Sequence, residues 1–297
     1  MKTASVLISR NMKMFFKDRG MFFTSLVTPA ILLVLYATFL GNVYRDSFAS
    51  ALPPNLTIAE KLTDGLVVGQ LISSILSVSC VTVAFCSNFL MVKDKADGTI
   101  RDLRVTPVSA AILSISYYAA SLISTLIICF SAAGICLIYA SIAGWYMTVS
   151  DVCFLFLDIL LLVLFGTALS SSIGFFLSSQ GQISAVGSIV SAGYGFICGA
   201  YMPISSFSEG LQEALSFLPG TYGTSLIRNH SLQGVFNEIE NQGATAAVIR
   251  GLKDALDCNL YFLDERVPLC SMYIILIAAT AVLIGFYVLI NVRRKMY

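Results

Sequence analysis

Charge is scarce in this sequence. Of its 297 residues only 12% are Asp, Glu, Lys or Arg, where a soluble domain carries about 25%, and the mean hydropathy is +0.83. That excludes an ordinary water-soluble domain and marks an integral membrane protein. Histidine is scarcer still. The single one, His230, falls on an outer loop in the topology below, so no His-based metal site or catalytic triad is expected. No H-E-x-x-H occurs, and no residue is read as catalytic. The sequence holds no G-x-x-x-x-G-K-[ST], so this chain has no P-loop with which to bind ATP. A net charge of +1 gives no ground for nucleic-acid binding. Cysteine is present but unpatterned. Six of the eight (Cys80, Cys86, Cys129, Cys136, Cys153, Cys198) lie in apolar runs without ligand spacing and read as small hydrophobes. Cys258 and Cys270 lie in or beside the longest polar loop, where a disulfide would need an oxidising compartment and rests on proximity alone.

What is abundant is apolar sequence in long runs. A hydrocarbon core about 30 Å thick needs roughly 20 apolar residues in a helix, and only helices satisfy their own backbone there. Six spans are predicted, at about 22–40, 66–92, 110–143, 152–178, 183–202 and 269–292, in one all-α membrane domain over 1–297. The run at 22–40 is too long for a signal peptide and follows too long a basic region. Lys2, Arg10, Lys13, Lys17 and Arg19 precede it, Lys93, Lys95, Arg101 and Arg104 follow the second span, and Arg293, Arg294 and Lys295 end the sequence. The positive-inside rule makes these three regions cytoplasmic. The connection over 144–151 has no Lys or Arg, and the loop over 203–268 is acidic; both are expected outside. In 1–20, Ile8, Met12, Phe15 and Phe16 oppose Arg10, Lys13 and Lys17, which suits a helix lying in the cytoplasmic interface.

Seven charges fall in VKDKADGTIRDLRVTPVS, between the second and third spans. Asp94 or Asp97 is suited to cap a helix, and Pro107 disfavours helix at Thr106. Ile100 and Leu103 form a small apolar ridge flanked by Arg101, Asp102 and Arg104. A cytoplasmic amphipathic turn of this kind suits docking to a soluble partner; the alternative is a charged loop that only fixes topology. The stretch resembles the coupling helix of ABC-2 type transporter permeases, the match being carried by Asp97-Gly98-Thr99, Asp102, Leu103, Thr106-Pro107 and Ser109. Asp stands at 97 and 102 where that family often has Glu. The resemblance implies contact with a separate ATP-binding subunit through Asp97, Gly98, Thr99, Ile100, Asp102, Leu103, Thr106 and Pro107.

A second similarity follows the fifth span. Gly199-Ala200-Tyr201-Met202-Pro203-Ile204, then Leu218-Pro219-Gly220-Thr221-Tyr222, then Ile227-Arg228 and Gly234, resemble the family's outer region of short, partly re-entrant helices beneath an outer gate. That role would fall on Tyr201, Pro203, Leu218, Pro219, Tyr222 and Arg228. Leu211, Leu215 and Leu218 are predicted to share one face of a short helix. On the fifth span Ser184, Ser188, Ser191 or Ala192, Gly195 and Gly199 form a stripe of small residues that permits close helix packing, within the chain or against a second permease. Ser73, Ser77 and Asn88 on the second span either line a path or bond internally. Asp158 is the one ionisable residue well inside a span; it meets a polar partner in protein or reaches water at the outer interface.

The resemblance implies an ABC-2 fold and the permease subunit of an exporter, itself no enzyme and without cofactor, with ATP and Mg²⁺ bound by the partner ATPase. It further implies a second permease chain, identical or paralogous, a place in the cell membrane with both termini cytoplasmic, and a hydrophobic or amphipathic cargo. The alternative function is an ion-coupled secondary carrier, which would ordinarily need more intramembrane charge.

Overall fold

The computed structural model describes residues 2–51, 60–106, 108–263 and 265–294. It is almost entirely helical. Helix α1 (Lys2–Lys17) is followed at once by α2 (Arg19–Leu35), whose N-cap Asp18 accepts from the Met21 amide. α2 runs through a π-helical turn at Tyr36–Leu40 into α3 (Gly41–Ala51). Then come α4 (Glu60–Ala96), the short α5 (Thr99–Val105), α6 (Ala110–Ala143), α7 (Val149–Phe176) and α8 (Gln180–Ile197). A 3-10 turn at Ile204–Ser206 leads to α9 (Glu209–Ser216), α10 (Pro219–Asn241) and α11 (Ala246–Ala255). The antiparallel pair β1 (Tyr261–Phe262) and β2 (Glu265–Arg266) precedes α12 (Leu269–Arg294).

The helix starts follow local chemistry. Ser109 caps α6 by accepting from the Ile112 amide. Thr148 with Asp151, and Ser179 with Gln182, form capping boxes that open α7 and α8, each satisfying amides that a helix N-terminus leaves free. Pro219 stands in the first turn of α10, where a missing N–H costs nothing.

The 37-residue α4 is the axis of the fold. It packs against α2, α6, α7, α8 and α10. Because neighbours surround it, its apolar residues follow no single face, and its buried polar side chains bond locally. Ser79 and Thr82 donate to carbonyls one turn back, and Ser87 meets the hydroxyls of Ser121 and Thr125.

Among the described residues, five helical stretches are long and apolar enough to cross a membrane: Arg19–Asp46, Lys61–Ala96, Ala110–Ala143, Val149–Phe176 and Leu269–Asn291. The run predicted at 183–202 is an 18-residue helix, α8, rich in Ser, Gly and Gln, and is not one of these five. It ends at Ile197, so residues 199–202 lie outside the helix. The region over 203–268, expected to hold short, partly re-entrant helices, is largely helical. Its largest part is α10, 23 residues long, set among α4, α7 and α12.

Toward the rest of the chain, helix α1 turns a face that shares only Phe15 with the apolar face predicted for the interface. Leu7, Asn11 and Phe15 are its buried residues, while Ile8 and Met12 are half-buried and Phe16 is exposed. The helix packs along α6.

Candidate functional site

The charged segment after α4 begins with a tight turn. Gly98 has φ 81°, a left-handed conformation that costs glycine little and other residues more, and it occupies the N-cap of α5 with no side-chain cap. Neither aspartate serves as that cap. Asp97 is exposed, and Asp94 is buried beneath the turn. The predicted docking ridge is reversed as well. Ile100 is buried with Leu7, Leu90, Met91, Leu113 and Tyr117, and Leu103 packs on the same cluster. The face left outward carries Asp97, Arg101, Asp102 and Thr106 together with Val105, which is 89% exposed. The Thr106 hydroxyl closes the helix by donating to the Leu103 carbonyl. Pro107 lies outside the described residues.

Three consecutive residues fasten the end of α4 to α1, the α1–α2 junction, α6 and α7. Lys93 Nζ donates to Asp18 Oδ2 at 2.8 Å, at the α1–α2 junction. Asp94 Oδ2 accepts from Arg10 Nη1 of α1 at 2.6 Å and from the Tyr117 hydroxyl of α6 at 2.5 Å. Lys95 Nζ donates to the carbonyls of Gly174 (3.1 Å), Phe175 (2.8 Å) and Leu177 (3.4 Å) where α7 ends. A cation on these free carbonyls also complements the helix dipole. The Lys93 ammonium, aided by the Met21 N–H, holds the Asp18 carboxyl below its ordinary range. Arg10 is thus no free topogenic charge but half of an ion pair.

Beside this clamp runs an open groove of about 580 Å³ between α2, α4 and α8. Met21, Thr24, Thr28, Phe89, Ser184 and Ser188 line it, and Asp18 and Lys93 stand among its walls. The small stripe of α8 splits here. Ser184, Ser188 and Ser191 border the groove, but Gly195 is covered by Tyr201 of the same chain, whose ring lies 2.2 Å from where a Cβ would be. Ser73, Ser77 and Asn88 are buried within the chain. Ser73 donates to the Gln70 carbonyl, and the Asn88 amide donates to the hydroxyls of Ser170 and Ser171.

At the other end of α4, the segment from α8 to α12 is tied by a buried ion pair. Arg228, 1% exposed, reaches Asp257 Oδ2 at 3.1 Å with one nitrogen and the Gly199 carbonyl at 2.9 Å with the other. Asp257 also accepts from the amides of Ile204 (2.8 Å) and Ser205 (3.4 Å). Burial raises its carboxyl above the ordinary value, with Arg228 pulling the other way. Arg228 therefore gathers the exit of α8, the turn after Pro203 and the end of α11 onto α10. The Tyr222 hydroxyl donates to the Ser216 carbonyl at 2.6 Å, joining α10 to α9. Of the predicted leucine face only Leu215 is buried, while Leu211 and Leu218 are exposed. Cys258 and Cys270 are free thiols, and burial pushes Cys258 up to about 12.

Asp158 and His230, assigned by sequence to separate environments, are in contact. His230 belongs to α10, and its Nδ1 lies 2.6 Å from Asp158 Oδ2. The Tyr273 hydroxyl of α12 donates to Asp158 Oδ1 at 2.5 Å. With 0% exposure, Asp158 does not reach water, which corrects that alternative. The pairing had no sequence signal beyond the rarity of both residues. Among the described residues, no group of three or more His, Cys, Asp or Glu is arranged to hold a metal.

No curated protein gives a significant match to the chain. A family model described as ABC-2 type transporter matches residues 3–230, a range that takes in α1, the clamp at Lys93–Lys95, α5, the groove and His230.

Proposed function

The chain belongs to the ABC-2 type transporter family, and from that membership we propose that it forms the path for ATP-driven export of a hydrophobic or amphipathic molecule. A permease component of an ABC transporter does no covalent chemistry of its own. The energy would come from a separately encoded ATPase, with its bound ATP and Mg²⁺, docked on the outward face of α5. A second permease chain would complete the path along α8, in a cell membrane with both termini cytoplasmic.

One observation carries this reading. α5 exposes polar residues and Val105 while its apolar ridge, packed on Leu7, Leu113 and Tyr117, grips the membrane helices. Together with the clamp on α4, this is the arrangement needed to pass a push on α5 to α1, α6 and α7 at once. Two-state elements with connected contacts are what coupling between sites requires. The groove between α2, α4 and α8, with apolar side chains and with hydroxyls on its α2 and α8 walls, fits an amphipathic cargo better than a small polar one. Tyr201, Pro203, Leu218, Pro219, Tyr222 and Arg228 would then belong to the outer gate.

The test is co-purification of the chain with a separately encoded ABC ATPase, comparing wild type with Asp102→Lys and Val105→Asp. Both changes lie on the exposed face, so the fold should hold while complex formation and stimulated ATP hydrolysis fall at least about tenfold. Unchanged assembly and hydrolysis in both variants would remove α5 as the docking element. The buried Asp158–His230 pair gives the rival ion-coupled carrier its one point of support. Transport that persists with a hydrolysis-dead ATPase and follows an ion gradient would favour that rival.

A further inference from the structure

We propose that Asp158, His230 and Tyr273 form a proton-operated latch that holds α10 against α7 and α12. Each residue comes from a different helix, and the contacts are short: 2.6 Å from His230 Nδ1 to Asp158 Oδ2, and 2.5 Å from the Tyr273 hydroxyl to Asp158 Oδ1. Phe154, one turn before Asp158 on α7, stacks on the imidazole with ring centroids 5.0 Å apart and planes 14° apart. The carboxylate is wholly enclosed, while the imidazole keeps 14% of its side-chain surface open. A proton therefore has a way in and out through the histidine edge.

The charge states decide when the latch holds. With one proton shared between the two groups the pair is neutral in total, as imidazolium with carboxylate or imidazole with carboxylic acid. With that proton lost to water, a net negative charge remains in an enclosed slot, where uncompensated charge is costly. With a second proton bound, the net charge is positive and the carboxylate no longer attracts the ring. The pair titrates as a unit, and the closed form is favoured in the middle state. Loss of the shared proton is therefore the change that opens the latch. The sign follows from linkage: the closed form holds the proton more tightly than an open form does, so closing is lost as pH rises.

Among the described residues, no ionisable group on the surrounding helices other than Tyr273 bonds Asp158 or His230. On α10 itself Arg228 is paired with Asp257. On α7 Asp151 is held in the capping box with Thr148. On α12 Cys270 lies one turn before Tyr273. On α4 the buried thiol of Cys80 makes its bond to the Ile159 carbonyl. On α11 Lys253 bonds Gln233, and on α9 Glu209 and Glu213 line a separate polar pocket with Asp254. Among the described residues, Asp158 is the one carboxylate bonded to His230.

What the latch controls follows from what α10 carries. Arg228, two residues before His230, gathers the exit of α8 and the end of α11, so releasing α10 loosens the whole segment between α8 and α12. That the proton comes from the outer solution rests on the topology proposed above; the latch itself does not.

The experiment uses the full chain in detergent micelles. Because His230 is the sole histidine, labelling that amino acid gives one imidazole resonance, followed from pH 5 to 9. In parallel, amide exchange of α10 is measured at pH 6 and pH 9, corrected for the intrinsic rate, in wild type, His230→Gln and Tyr273→Phe. The expected result is an imidazole signal that titrates and a loss of α10 protection of about tenfold toward pH 9 in wild type. In His230→Gln that pH dependence should shrink below about twofold. An imidazole signal that stays fixed across the range overturns the latch, and this wild-type measurement stands even if a variant does not fold. Equal pH dependence in wild type and His230→Gln overturns it as well, whatever becomes of the transport reading.

Discussion

Gly234 of α10 rests directly on the backbone of Tyr146, in the connection between α6 and α7. A Cβ at residue 234 would stand 1.9 Å from the Tyr146 carbonyl oxygen and 2.5 Å from its carbon. Backbone cannot swing aside as a side chain can, so α10 approaches this connection only because residue 234 has no side chain. Gly234→Ala should destabilise the chain by at least about 2 kcal/mol, as overpacking against a fixed neighbour does. Thermal unfolding in detergent would show it, and an unchanged midpoint would mean that the two elements are not in contact.

Arg10 and Asp94 should behave as a coupled pair. Arg10→Asp leaves a buried carboxylate beside another negative group, and Asp94→Arg sets two cations together. Each change should destabilise, and the double exchange should recover at least about 1 kcal/mol in a double-mutant cycle. The exposed pair Arg45–Asp64 serves as control, with an expected coupling of about 0–1 kcal/mol. Purely additive losses at 10 and 94 would show that the pair does not fasten α1 to α4.

Removing one partner of the Arg228–Asp257 pair leaves the other charge buried, at a cost of about 3–5 kcal/mol. Arg228→Met is therefore expected to open the segment between α8 and α12. Limited proteolysis should then cut within residues 199–268 while α4 and α6 stay protected. A digestion pattern identical to wild type would contradict the role given to Arg228.

A thiol pushed up to about 12 is about one part in ten thousand thiolate at pH 8, and thiolate is the reactive form. Maleimide at that pH should modify Cys153 and Cys270, which are exposed near the starts of α7 and α12, and spare Cys258 until the chain unfolds. Mass spectrometry of the labelled peptides decides the matter. Labelling of Cys258 at the rate of Cys270 would be inconsistent with its burial.

Asp18 supplies a pH dependence with a definite sign. Its carboxyl titrates below its unfolded value of 3.8 because Lys93 and the Met21 N–H favour the anion. Its contribution is therefore present above that value and lost as pH falls through the lower folded one. The difference in melting temperature between wild type and Asp18→Asn should be largest near pH 6 and close on approach to pH 3. A difference that is constant over that range would assign the effect to packing instead of charge.

The sequence made the long apolar helices legible because lipid demands runs of one kind, and α2, α4, α6, α7 and α12 fall where such runs do. It hid α10. That helix is hemmed in by α4, α7 and α12 and so has no apolar stripe, and its many polar residues look like a loop. They are satisfied internally: Thr224 and Ser231 donate to carbonyls one turn back, and Ser225 and Asn229 reach the Cys258 carbonyl. The ridge of Ile100 and Leu103 was visible, but spacing tells which residues share a face and not whether that face meets the chain itself or a partner. Charge pairing across 84 residues, as between Arg10 and Asp94, leaves no local trace at all.

The clamp at the end of α4 also imposes an order on synthesis. When Lys93 and Asp94 leave the ribosome, their partners Asp18 and Arg10 have already been made. Tyr117 follows 23 residues after Asp94. The carbonyls that receive Lys95 come last, 79 to 82 residues later. Until the end of α7 has been made, Lys95 lacks those partners. A cation free during synthesis is then taken up by the finished fold as a bolt between α4 and α7.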